Sequence, residues 1–191
     1  MGLHLLRAAD RAPAPWKNGG GVTTEVAIFP AGAGFDDFEW RISTADIVAD
    51  GPFSSFPDVD RTLIMLEGGI RLAVAGGIPV ELTRASPPHA FAGDQAASAQ
   101  LMTPAARDLN VMVRRGRWRA EALRFELSGQ QALRLEADET LLFVETGEVN
   151  LSSPRLTLGP LDAALVCPSA GRDLMLSSRG ATAYLVSLSA L

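Results

Sequence analysis

The chain has 191 residues, 47% of them hydrophobic, with a formal net charge of -5, two histidines and one cysteine. That length allows one large domain or two small fused ones, and the acidic balance excludes a general nucleic-acid binder, whose footprint is a basic excess. An internal disulfide, a Cys/His zinc site and a site built on several histidines are excluded by count; no membrane span or polybasic anchor is present, so a cytoplasmic protein without a membrane partner is expected.

In chain order, the N-terminal MGLHLLRAADRAPAP is too short and too interrupted to read as a secretory leader. PWKNGGG (15–21) follows. Three consecutive glycines are entropically expensive to order, so they mark a tight turn or a backbone lying against a ligand. Short apolar or alternating runs then recur: VTTEVAIF (22–29), FEWRISTAD (38–46), RTLIMLEG (61–68), GIRLAVAGG (69–77), IPVELTR (78–84), ASAQLM (97–102) and DLNVMVRR (108–115). WRAEALRFEL (118–127) carries helix-favouring Ala, Leu and Glu but is read as a strand from its β-rich context. TLLFVETGEVNL (140–151), RLTLGP (155–160), AALVCP (163–168), DLMLSS (173–178) and ATAYLVSL (181–188) complete the series. Gly, Pro, Asn, Asp and Ser separate nearly all of them, which is the pattern of an all-β barrel or sandwich.

Three stretches stand apart. GPFSSFPDVDRTL (51–63) is a Gly-, Pro- and aromatic-rich loop whose Phe53 and Phe56 need cover, as a barrel plug or a pocket wall. Within it, Asp60 either orients Arg61 or both sit exposed. AGDQAASAQ (92–100) is the best place for a short helical turn or loop. Cys167, in AALVCPS, reads as a buried, inert thiol. A coarse repeat is also visible: IMLEGGIRLAV (64–74) returns as LFVETGEVNLS (142–152), each followed by a second hairpin-like pair, as two related barrels would produce.

Strand residues alternate faces. Asp108, Asn110, Met112 and Arg114 therefore share one face, and Arg41 and Ser43 share another with Glu39 and Ala45. Turned into a barrel, Arg41, Ser43, Asn110 and Arg114 would suit a polar, anionic small molecule. Arg offers a planar fork matched to carboxylate, and Asn suits an amide or formyl group. Solvated outer faces satisfy the same alternation. The phosphate-loop, dinucleotide and nucleophile-elbow motifs are absent.

WKNGGGVTTE (16–25), FEWRISTADI (38–47), GPFSSFPDVDR (51–61), LEGG (66–69), FAGD (91–94) and DLNVMVRRG (108–116), in that order, resemble the HutD/Ves family of bacterial proteins. The resemblance implies a bicupin, all-β, with two small antiparallel jelly-roll barrels: an N-terminal one at 1–116 carrying the motifs and a C-terminal one at 117–191, with strands exchanged between them. It also implies a regulatory protein of histidine utilisation. Such a protein would bind a small carboxylate metabolite, of urocanate or formylglutamate type, in a pocket without metal or cofactor. The ligand-binding residues expected are Trp16, Lys17, Asn18, Arg41, Ser43, Phe53, Arg61, Asn110 and Arg114. Trp16 would give an apolar wall, Lys17 a positive charge and Asn18 a polar contact. Two residues depart from the family pattern: Asp58 stands where the loop usually has Gly, and Leu109 where an aromatic is common. The alternative is an isomerase or hydrolase acting on such a metabolite, with Lys17 or Asp108 as general base. Outer sheet faces leave a homodimer open.

Overall fold

The computed structural model describes residues 2–16, 19–167 and 172–191. These residues are all-β: one 3-10 turn at Ala8–Asp10 and no α-helix accompany the strands. No helix among them is long and apolar enough to cross a membrane. The chain forms two units, Met1–Arg11 with Arg119–Leu191, and Ala12–Trp118.

Strand β1 (Gly2–Leu6) belongs to the terminal unit. The central unit holds β2 (Pro13–Pro15), β3 (Gly21–Phe29), β4 (Trp40–Ile47), β5 (Gly51–Pro52), β6 (Val59–Glu67), β7 (Gly69–Val74), β8 (Val80–Thr83), β9 (His89–Ala92), β10 (Ala97–Leu101) and β11 (Ala106–Arg114). Six of them make an antiparallel sheet in the order β2-β3-β4-β11-β6-β9, and four make a second in the order β5-β10-β7-β8. The alternation read from the sequence is what joins the sheets. Ile47, Leu63 and Met65 of the first pack with Ile70, Leu72, Leu82, Ala97 and Ala99 of the second. Burying each large aliphatic side chain contributes roughly 1.5–3 kcal/mol. The chain passes from sheet to sheet at Gly68, whose φ of 67° is open to glycine at little cost.

The stretch 92–100 divides: 93–95 is a turn, without a helix, and β10 is the strand expected from the run at 97–102. Ala97 and Ala99 are buried while Ser98 and Gln100 are exposed, and β10 is hydrogen-bonded to β7 on one side and β5 on the other. Pairing on both edges overrides the helical propensity of Ala and Gln.

The terminal unit holds β12 (Trp118–Leu135), β13 (Glu139–Gly147), β14 (Val149–Ser152), β15 (Arg155–Leu158), β16 (Ala163–Cys167) and β17 (Arg172–Ala190). The sheet runs β1-β16-β13-β17-β14-β15, with β12 paired to β17. The stretch 118–127 is a strand, as expected, and continues to Leu135. Leu142, Val144, Leu151, Val166, Leu176 and Ala183 form the heart of this unit's core. Its β13–β14 turn repeats β6–β7, with Gly147 at φ 78° in the place of Gly68. Among the described residues, the pairing of neither unit closes into a ring.

Candidate functional site

The middle of the six-stranded sheet carries three cross-strand rows. Met112 on β11 pairs with Arg41 on β4 and with Arg61 on β6. Two residues along, Asn110 lies between Ser43 and Leu63; two further, Asp108 lies between Ala45 and Met65. The period of two turns the members of all three rows to one face. There Arg41, Ser43, Arg61, Asp108 and Asn110 line a cavity of about 580 Å³. Trp16, Phe35, Phe53 and Phe56 contribute its apolar walls.

The charges in this cavity are buried: Arg41 is 7% exposed, Arg61 5% and Asp108 1%. Arg41 Nε donates to Glu25 Oε2 at 2.9 Å, Nη1 to Ser43 Oγ at 3.5 Å, and the guanidinium lies 5.0 Å from the Phe35 ring centre. Arg61 Nε donates to Asn110 Oδ1 at 3.4 Å and Nη1 to the Ser54 carbonyl at 3.3 Å. Both exceed the ordinary N–H···O range of 2.7–3.2 Å. Its guanidinium is otherwise packed against the rings of Phe53, Phe56 and Phe91 at 5.0–5.6 Å. Nη2 of neither arginine has a partner among the described residues. Asp108 Oδ1 is buried and has no hydrogen-bond partner among the described residues.

Burial dominates the titration of both central groups. It lowers Arg61 to about 10, with Asp108 opposing and Arg41 adding to the shift. It raises the Asp108 carboxyl to about 7, against the pull of Arg61 and the Ala45 backbone and with a small push from Asp46. Buried polar groups without partners are costly. A bound molecule offering an anion to the guanidiniums would remove part of that cost.

Six expected site residues converge on this cavity: Trp16, Arg41, Ser43, Phe53, Arg61 and Asn110. Lys17 and Asn18 lie outside the described residues. Arg114 is not among the lining residues. Its guanidinium donates to the carbonyls of Asp36, Phe38 and Pro57 at 3.1–3.3 Å and stacks on Phe38. It shares the face of Asn110, but it sits at the end of β11, where loop carbonyls take up its donors. Asp60 does not orient Arg61. It points to the other face and accepts from Arg115 Nε at 2.7 Å. Phe53 and Phe56 wall the cavity rather than plug an end. The lining residues outside the expected ligand set include Asp108, Phe35 and Phe56. Asp108 had a signal, its place on the face of Asn110; Phe35, in a loop, had none.

The glycine run now has a geometric account. The Trp16 N–H donates to the Gly21 carbonyl at 2.9 Å, closing the turn, and Gly19 has φ 71°. A Cβ on Gly21 would overlap the Asp46 carbonyl oxygen and lie 3.2 Å from the Trp16 ring. Trp16 Nε1 donates to Thr23 Oγ1 at 2.7 Å, which holds the ring edge-on to Phe53. Elsewhere, in the terminal unit, Cys167 is half-buried, and burial first and Glu139 second push its thiol pKa up, away from a reactive thiolate. No group of three or more His, Cys, Asp or Glu among the described residues is placed to hold a metal.

The HutD family model matches residues 8–184. The 21.2 kDa protein of the hutC 3' region of Pseudomonas putida is 39% identical over 151 residues, 78% of this chain and 77% of its own. Protein Ves of Citrobacter koseri is 38% identical over 107 residues, 56% of this chain and 55% of its own. The structure of HutD from Pseudomonas fluorescens SBW25 superposes with a TM-score of 0.86 at 33% identity, covering 100% of both chains. A cupin 2 conserved barrel domain protein from Leptotrichia buccalis gives a TM-score of 0.59 at 10% identity, covering 87% of this chain and 88% of its own, a likeness of fold alone. The match spans nearly the whole chain, and the chain belongs to the HutD family.

Proposed function

We propose that this protein is a non-enzymatic regulatory protein of histidine utilisation that binds a small carboxylate metabolite, of the urocanate or formylglutamate type. In this reading each unit is one cupin barrel, the ligand sits in the central one without metal, and the protein works in the cytoplasm. The observation that carries it is the pair Arg41 and Arg61, flanking Met112 in one row and buried in the lining of an aromatic-walled cavity, neither Nη2 having a hydrogen-bond partner among the described residues. A carboxylate accepts two N–H donors in the geometry a guanidinium offers. The family, and the hutC region in which the Pseudomonas putida relative lies, supply the metabolic setting.

Calorimetry with urocanate, formylglutamate and related acids tests this reading. Binding is expected in the wild type. Arg61→Ala is expected to weaken it roughly tenfold to a hundredfold, the worth of one charge-assisted hydrogen bond at about 1.5–3 kcal/mol. No heat with any such acid, or unchanged affinity in Arg61→Ala, would refute it. One observation favours the enzyme instead: a cavity carboxyl near pKa 7 is tuned as a general base should be. Incubation with the same acids followed by mass analysis separates the two, since turnover would replace the binding reading with an isomerase or hydrolase using Asp108.

A further inference from the structure

We infer that Asp108 is a second recognition group of this cavity, so that the bound acid carries an N–H or O–H donor at the end away from its carboxylate. The inference rests on the carboxylate reading above and adds the polarity of the whole ligand to it.

The three rows of the sheet order the cavity floor by charge. Two guanidiniums come first, then the neutral pair Ser43 and Asn110, then the Asp108 carboxyl. Rows two residues apart are separated by about 7 Å along a strand. Arg61 leans one row toward Asp108, as its contact with Asn110 shows. From the cationic end to Asp108 there remains about one row, ~7 Å, the span of a small bifunctional molecule.

Asp108 cannot be explained as a structural anchor on that side. It is 1% exposed, it lines the cavity, and its Oδ1 has no hydrogen-bond partner among the described residues. The charged groups that act on it are Arg61, which attracts it, and Asp46, which repels it. Asp46 is itself bonded to Arg107, so it offers Asp108 nothing. Any bound acid brings a second negative charge toward this carboxyl, and one lacking a donor leaves Oδ1 unpaired as well. An acid with a donor would satisfy Oδ1 and hold the carboxyl ionised. The raised pKa agrees with this, because burial outweighs Arg61 and the Ala45 backbone donor and the carboxyl resists ionisation.

The test uses matched pairs in which only the donor is removed. One pair is 3-(imidazol-4-yl)propenoate and 3-(oxazol-4-yl)propenoate; the other is N-formylglutamate and 2-(formyloxy)glutarate. Titration calorimetry at pH 7 on the full chain is expected to show the donor-bearing member of a pair binding roughly tenfold more tightly. Asp108→Leu, which removes the acceptor at similar volume and is checked for folding by its thermal melt, is expected to lose most of that preference. Equal binding of both members to the wild type overturns the inference and leaves the carboxylate site standing. Full preference retained in Asp108→Leu overturns the assignment to Asp108. Binding of neither pair overturns the carboxylate reading and this inference together. The wild-type comparison decides even if the variant fails to fold.

Discussion

Asp108 holds a buried carboxyl in the cavity lining, one oxygen of which has no hydrogen-bond partner among the described residues. Burial, opposed by Arg61, puts its folded pKa at about 7, above the ordinary value of 3.8. The folded state therefore binds this proton more tightly than the unfolded chain. Stability from this group is complete below about pH 4, is lost as pH rises to about 7, and is constant above that. The wild-type melting temperature minus that of Asp108→Asn is accordingly expected to fall across that range. A difference that stays flat or rises would mean that the carboxyl is satisfied in the folded state. Other single residues were legible for the same reason as Asp108. Arg41, Ser43, Arg61 and Asn110 sit on strands, where the period of two fixes their face. Asp58, marked as standing in place of a family Gly, has φ 56°, a region glycine enters freely and Asp tolerates. Arg114 had the right face, yet its donors went to three loop carbonyls, a competition no strand pattern reveals.

The repeated turn is the clearest case at the scale of elements. Gly68 and Gly147 each end a long core strand with positive φ. A Cβ on Gly147 would overlap the Gly180 carbonyl oxygen, and one on Gly68 the Ala105 carbonyl oxygen. Gly19 also has positive φ, but a Cβ there meets nothing within 4 Å. Gly147→Ala is therefore expected to cost clearly more than the roughly 1 kcal/mol of unfavourable φ alone, and Gly19→Ala about that amount. Urea unfolding of the two variants checks it; equal costs would remove the steric argument. Strand existence was legible almost throughout, because alternation and turn residues are local. The stretch 92–100 was legible in two ways, since small Ala and polar Gln fit a loop, a helix or a strand, and pairing with β7 and β5 chose the strand run at 97–102.

The first eleven residues fold with the last seventy-three as one unit, so the chain's two ends share a sheet. β1 covers the edge of β16, pairing Leu3 with Val166 and Leu6 with Ala163. Behind it, Arg7 bonds Asp162 at 2.7 Å and the Ala8 N–H donates to the same carboxylate at 2.8 Å. Deleting residues 2–11 removes both donors and exposes a strand edge. Hydrogen exchange at 163–167 is expected to accelerate strongly in that deletion, while exchange at 106–114 changes little. Unchanged protection of 163–167 would show that β1 is dispensable. The repeat also explains why a polar floor is described in only one unit. Counting back from Gly147 as from Gly68, Thr140, Leu185 and Ala183 stand where Arg61, Asn110 and Asp108 stand in the central unit. Leu142, Val144 and Ala183 there belong to an apolar core.

By itself the sequence determined the all-β class, the strand faces and the family, and it put Arg41 with Ser43 on one strand face and Asn110 with Asp108 on another, since each is written in local period or in an ordered set of motifs. Tertiary structure alone decided which polar faces turn inward, that Arg41 and Arg61 flank Met112, and that Asp108 Oδ1 is left without a partner among the described residues. Cross-strand register joins residues dozens of positions apart, and the burial that shifts their charges exists only once those strands have paired.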